Sequence, residues 1–177
     1  MSLLNIPTIE NATGEVKEIY NEIEAAFGMV PNGISAWSAN PDLLRNQWES
    51  IKVRLSKDQE NQKLHAIIRY LASDENNCTY CVGFNGGMLM NYYGVTQEQL
   101  LEMQKNPSSA PLGEKNLALL LFAMKSIKSA DDVNTKDIEH LKSLDVSEEE
   151  IFEIVHAASH MTVVNTLFKT FKVEQDV

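Results

Sequence analysis

The sequence predicts an all-α fold, and three observations predict it. Apolar residues recur at helical spacing in several separate windows. Those windows are preceded by helix-opening patterns: Asn40-Pro41, Ser56-x-x-Gln59, Thr96-x-x-Gln99 and Ser147-x-x-Glu150. No stretch alternates apolar and polar residues for long enough to make a strand.

Taken in order, residues 1–12 read as an extended arm. Thr13-Gly14-Glu15 opens a first helix, with Val16, Ile19, Tyr20, Ile23 and Phe27 as its apolar stripe. Gly28 ends it, because glycine accepts the left-handed backbone that closes a helix. Met29 to Gly33 forms a turn, and a short helical piece through Ile34 and Trp37 follows. Asn40 caps the next helix, and Pro41 sits where its missing N–H costs nothing. Its buried stripe is Leu44, Trp48, Ile51 and Leu55. Ser56 and Gln59 then open a helix to about Ser73, with Leu64, Ile67, Ile68 and Leu71 inward.

Asn76 or Asn77 is expected to cap a helix over Cys78 to Tyr93. Gly83, Gly86 and Gly87 within it imply either close backbone packing or a weakened helix, since each costs about 1 kcal/mol relative to alanine. Thr96 leads a short helix to about Gln104. Residues 114–128 form a helix that is apolar nearly all round its middle, which places it in a core or between subunits. Thr135 caps a short helix to Leu144. Ser147 leads the last helix, 148–172, with Ile151, Ile154, Val155, Ala158, Thr162 and Leu167 near one face. The expectation is one domain over 1–177. It comprises an N-terminal helical extension (1–54), a unit holding the cysteines (55–105) and a second helical unit (112–177). The echo of Gly94-Val95-Thr96 in Asp145-Val146-Ser147 allows a duplicated helical unit.

Composition narrows the function. The chain has 177 residues, 44% of them apolar, which is enough for a real core. A formal net charge of −10 repels phosphate backbones and argues against nucleic-acid binding. No basic cluster suits an anionic membrane, and no apolar run is long enough to span one. The opening residues Met-Ser-Leu-Leu-Asn-Ile-Pro lack a basic segment and a long apolar run, so no signal peptide is expected. A cytoplasmic location is therefore expected. A cysteine pair there is more often catalytic, redox-active or metal-binding than a static crosslink.

The two cysteines, Cys78 and Cys81, form a Cys-x-x-Cys motif at a helix start. The thiolate is the working nucleophile, and the unpaired N–H groups and partial positive charge of a helix N-terminus favour it. Cys78 sits where that field is strongest. Cys81, one turn on, is placed to resolve a mixed disulfide formed by its neighbour. The bland alternative is a pair of buried, space-filling cysteines. A structural zinc needs about four ligands. His156 and His160, four apart on one helix face, could complete a Cys2His2 set only if that helix crosses the cysteines. No metal and no cofactor are expected.

The segment Asn77-Cys78-Thr79-Tyr80-Cys81, with the later Gly94-Val95-Thr96 and its acidic helix start, resembles the AhpD-like alkylhydroperoxidases of the carboxymuconolactone decarboxylase superfamily. The opening helix with Gly28-Met29-Val30-Pro31-Asn32, the Leu55-Ser56 helix start and the late Asn165 resemble that family's peroxidase-related branch. The resemblance implies an AhpD-like helical bundle assembled as a homotrimer or homohexamer. It also implies reduction of a hydroperoxide or disulfide substrate through the cysteine pair, with recycling by a dithiol carrier such as a lipoyl group or a thioredoxin-like protein. The family pattern carries a glutamate twelve residues before the first cysteine, where this chain has Ala66 beside His65. It carries a histidine four residues after the second cysteine, where this chain has Asn85. Those groups relay a proton to and from the second cysteine. Alanine can do neither, and asparagine hydrogen-bonds without titrating. Tyr80, between the cysteines, is a common variant of the family's histidine. His65, Glu75, His156 and His160 are the candidates to substitute in the relay.

The expected function is a thiol-dependent peroxidase or disulfide oxidoreductase with a weakened proton relay. The alternative is a redox-responsive or structural oligomer that kept the fold and lost turnover. Lactone decarboxylation is the least supported reading, since no matching acid/base set is present.

Overall fold

The helix signals place nine α-helices and no strand among the described residues of a computed structural model. Residues 3–176 are described; Met1, Ser2 and Val177, at the tip of the expected arm and the end of the last unit, lie outside them. The helices are α1 (Gly14–Phe27), α2 (Asn32–Ser35), α3 (Pro41–Leu55), α4 (Gln59–Glu75), α5 (Thr79–Tyr93), α6 (Gln97–Lys105), α7 (Glu114–Lys128), α8 (Thr135–Ser143) and α9 (Glu148–Thr170). The chain divides into two units, Met1–Lys57 with Leu167–Val177, and Asp58–Thr166.

The first unit is built on α1 packed against α3. The α1 stripe buries Ile19, Tyr20 and Ile23, and α3 answers with Leu44, Trp48 and Ile51. Fully burying such a side chain contributes about 1.5–3 kcal/mol, so this small core is held by a handful of groups. Gly28 ends α1 at φ 75°, its N–H on the Glu24 carbonyl at 2.7 Å. Asn40 caps α3 by accepting from the Leu43 N–H at 3.2 Å. The buried Tyr20 hydroxyl donates to Ser38 Oγ at 2.9 Å, and the indole N–H of Trp48 donates to Glu22 at 2.6 Å.

The second unit is larger. Its core gathers Leu64, Ile67, Ile68, Leu71, Leu89, Leu100, Leu119, Leu120, Leu141 and Ile154, from α4 to α9. α4 is the central element, in contact with α5, α6 and α7. The apolar middle of α7 is buried at Leu119, Leu120, Phe122, Ala123 and Met124 against this same core. The all-round apolar pattern is thus answered largely by neighbours within the unit.

Four local expectations are corrected. Asp58, not Ser56, caps α4, accepting from the Asn61 N–H at 3.0 Å. Asn134, not Thr135, caps α8 in a reciprocal pair with Asp137. On α9, Ile151, Ile154 and Ala158 are buried as expected, but Thr162 is exposed while Met161, Val164 and Asn165 are buried, so the inward face leaves the expected stripe in its second half. Neither Asn76 nor Asn77 caps the cysteine helix, whose N-cap is Cys78 itself. Of the α5 glycines, Gly86 answers close packing: a β-carbon there would sit 3.3 Å from the Tyr70 ring of α4.

Thr96-Gln99 and Ser147-Glu150 form the expected capping boxes. The echoed triplets share a geometry too. Gly94 and Asp145 both take positive φ (64° and 56°), and the valine after each is buried.

Candidate functional site

The link between α4 and α5 places the cysteines. Asn77 adopts φ 53° and occupies the left-handed position that closes α4. Its N–H donates to the Asp74 carbonyl at 2.9 Å, and the Cys78 N–H donates to the Ser73 carbonyl at 2.9 Å. These two bonds are the Schellman closure, with asparagine in the role usually given to glycine. Cys78 is therefore both the last residue of the α4 closure and the N-cap of α5. Cys81 is the third residue of α5, so the pair holds the positions of a capping box, whose side chains face each other across the first turn. Two helix ends thus fix where the sulfurs meet.

The two Sγ atoms are hydrogen-bonded at 2.6 Å and are not joined in a disulfide. Both residues are buried, with Cys78 1% and Cys81 2% exposed. The Cys81 thiol is pushed far above the ordinary cysteine value. Its hydrogen bond with Cys78 is the main cause, followed by burial and by the negative charge of an ionised Cys78; the Ser73 hydroxyl and the Cys81 backbone pull the other way. The direction of that shift favours the protonated form of Cys81.

Around the pair lies a set of buried polar side chains. Asn85, one turn beyond Cys81, donates from Nδ2 to the Cys81 carbonyl at 2.8 Å. Its Oδ1 accepts from Arg69 Nε of α4 at 2.9 Å. Ser73 of α4 donates to the Arg69 carbonyl at 2.6 Å and lies 3.3 Å from Asn165 Oδ1 of α9. Asn165 Nδ2 donates to the Ala72 carbonyl at 3.4 Å. His65, Ser73, Asn85 and Asn165 are all buried. His65, Arg69 and Ser73 are four residues apart in turn, so they share one stripe of α4.

The residues singled out from the sequence separate in space. Tyr80 is buried and stacks on Phe84, ring centroids 6.0 Å apart. Ala66 is fully buried in the core and presents no titrating group. Asn85 is held between Arg69 and the Cys81 backbone, as above. His65 Nε2 reaches Glu153 of α9 at 3.4 Å; eight residues, about 12 Å of helix, separate it from Ser73. Glu75 pairs with Lys128. His156 and His160 stack on each other at 5.9 Å. Among the described residues no group of three or more metal-ligating side chains gathers, so the Cys2His2 arrangement is not assembled. Arg69 and Ser73 were not anticipated. Their one trace in the sequence is the helical spacing His65, Arg69, Ser73 on a helix otherwise apolar inward.

The fold is the all-helical AhpD core, with a close-set cysteine pair at the start of its fifth helix. A peroxidase-related protein from Ralstonia eutropha JMP134 with an alkylhydroperoxidase AhpD core superposes with a TM-score of 0.84 at 22% identity, over 99% of this chain and 92% of that one. A peroxidase-related protein from Silicibacter sp. TM1040 gives 0.82 at 22% identity, over 99% and 92%. The debrominase Bmp8, as a cysteine-to-alanine variant in complex with 2,3,4-tribromopyrrole, gives 0.76 at 19% identity, over 100% and 94%. No protein-family model and no curated protein matches the chain.

Proposed function

We propose that this protein is a dithiol oxidoreductase that reduces a hydroperoxide at Cys78 and Cys81. The observation that carries the reading is the pair of buried thiols, 2.6 Å apart at a helix start, within the AhpD-like fold. Cys78 stands at the N-cap and Cys81 retains its proton, so Cys78 is the attacking thiolate. It attacks the peroxide's terminal oxygen. The O–O bond breaks, the alkoxide leaves and takes a proton, and Cys78 becomes a sulfenic acid. Cys81 then forms the S–S bond with Cys78, and its proton leaves with the departing hydroxyl as water. Two electrons pass from the dithiol to the peroxide. An external dithiol, such as a lipoyl group or a thioredoxin-like protein, restores the pair by exchange. Ala66 and Asn85 leave no titrating group in the relay positions, so turnover is expected below that of a site with a general acid and base, which typically contribute about 10²–10⁴-fold.

A second reading rests on the similarity to the debrominase. The same two electrons can reduce a carbon–bromine bond: a bromoarene and two thiols give the arene, bromide, a proton and the disulfide. We also propose a cytoplasmic location and a homotrimer or homohexamer. For the assembly, α9 exposes Phe152 (77%) and Val163 (51%); they are eleven residues apart and so share a face.

The test is consumption of cumene hydroperoxide, and bromide release from a brominated pyrrole, with dihydrolipoamide as reductant. Wild type should consume peroxide, and Cys78→Ala and Cys81→Ala should fall to the rate of dihydrolipoamide alone. Bromide release without peroxide consumption would select the second reading. Neither activity, with a dithiol that still oxidises reversibly, would favour a redox-responsive oligomer.

A further inference from the structure

The reaction proposed above makes no use of the histidine pair on α9. His156 and His160 are four residues apart within this helix, so they stand one turn apart on the same face. Their rings lie side by side, centroids 5.9 Å apart and planes 13° from parallel. His156 is exposed and His160 half-buried, so an ion from solution can reach them. Two imidazoles at this spacing are what the His-Glu-x-x-His helix of zinc proteases offers its metal. A metal–nitrogen bond is about 2.0–2.1 Å, so two nitrogens sharing one ion stand about 3 Å apart. Rotation of the two side chains between rotamers brings the rings to that separation while the helix backbone stays in place. Glu153, three residues before His156, reaches His65 Nε2 at 3.4 Å instead. No third metal-ligating side chain gathers with the pair among the described residues, which leaves the ion's other positions to water. Imidazole suits nickel, copper and zinc, whereas magnesium and calcium seek oxygen, and copper binds such nitrogen pairs tightest. The formal net charge of −10 draws cations towards the protein.

We propose that His156 and His160 form a surface chelate for one divalent transition-metal ion, each giving one imidazole nitrogen. The site shares no residue with the cysteine pair, and it holds whether or not the dithiol turns over. Once one histidine has bound the ion, the second bond forms within the same helix turn, at a high effective concentration. Each histidine therefore depends on the other, and losing either should weaken binding as much as losing both.

The experiment is calorimetric titration of the untagged, reduced wild-type chain with nickel chloride, chosen because copper(II) would oxidise the thiols. One ion should bind per chain. His156→Ala, His160→Ala and the double variant should each weaken binding by about tenfold or more. His160→Gln, which nearly keeps the side-chain volume, should behave as His160→Ala does. Absence of nickel binding in wild type overturns the proposal. Two independent single-histidine sites would lose stoichiometry and not affinity, which overturns the chelate equally. Binding that survives in the double variant and disappears in Cys78→Ala would assign the ion to the thiols and overturn it too. Should a histidine variant fail to fold by circular dichroism, wild type alone decides. Substoichiometric nickel should broaden the ring-proton resonances of His156 and His160 together. Broadening of one without the other, or of neither, overturns the proposal. Failure of the dithiol reading looks different: peroxide and bromoarene turnover would be absent while nickel binding still answers to both histidines.

Discussion

The two units bury polar side chains for opposite ends. In Met1–Lys57 with Leu167–Val177, the polar group at the centre is Tyr20, whose hydroxyl is closed off on Ser38 and neighbouring carbonyls. Burial raises its pKa, with the Ser38 and Ser35 hydrogen bonds opposing, and the phenol stays neutral. In Asp58–Thr166, Ser73, Asn85 and Asn165 are buried around two free thiols. The first arrangement satisfies an aromatic and stops there. The second surrounds a thiol that would change charge in the proposed reaction. Burying a polar atom costs about the same in both places; what differs is whether its hydrogen bonds are spoken for in every state of the site.

The sharpest break between the units is in activity. Cys78→Ala or Cys81→Ala should remove dithiol-coupled peroxide consumption altogether, while Tyr20→Phe should leave the rate within twofold. A Tyr20→Phe variant with lost turnover would erase the contrast. Next in size are core truncations. Leu120→Ala in the larger unit and Leu44→Ala in the smaller should each cost about 2–5 kcal/mol in urea unfolding, both being fully buried. If the units unfold separately, the two variants should shift different transitions.

Tyr20→Phe should cost about 1–2 kcal/mol of stability, because Ser38 loses its buried partner. The alkaline limb is subtler. Above the ordinary cysteine value near about 8.5, the unfolded chain ionises Cys81 while the folded chain still holds its proton. The stability that Cys81 contributes is thus present below that value and lost as pH rises beyond it. The urea midpoint of the reduced protein should fall between about pH 8.5 and 10 more steeply than that of Cys81→Ala. Parallel slopes would mean that Cys81 is not held neutral. The smallest expected effect is at the caps: Thr96→Ala and Asn134→Ala should each cost about 1 kcal/mol without touching cysteine reactivity.

Much of the frame was legible because it rests on local chemistry. α7 begins and ends at the expected residues, since an acidic first turn and lysines in the last one bracket an unbroken apolar run. The caps at Asn40, Thr96 and Ser147 were legible for the same reason. Where two capping residues stood close together, as with Ser56 and Asp58 or Asn134 and Thr135, residue type could not choose between them. Asn77 is the instructive miss. Asparagine suits both an N-cap and a left-handed helix closure, and only the path of α4 into α5 selects the second. Thr162 was misplaced because a small error in angular register accumulates along the 23 residues of α9.

By itself the sequence determined an all-helical chain and a Cys-x-x-Cys pair one turn apart. Periodicity, caps and spacing are properties of neighbours along the chain. The surroundings of that pair were decided by tertiary structure. Ser73 lies five residues before Cys78, but its carbonyl meets the Cys78 N–H only because α4 closes through a left-handed asparagine. Asn165 reaches the Ser73 hydroxyl from α9, ninety-two residues away. Hydrogen bonds act over about 3 Å, and contacts of that range between distant residues exist only once the helices have packed.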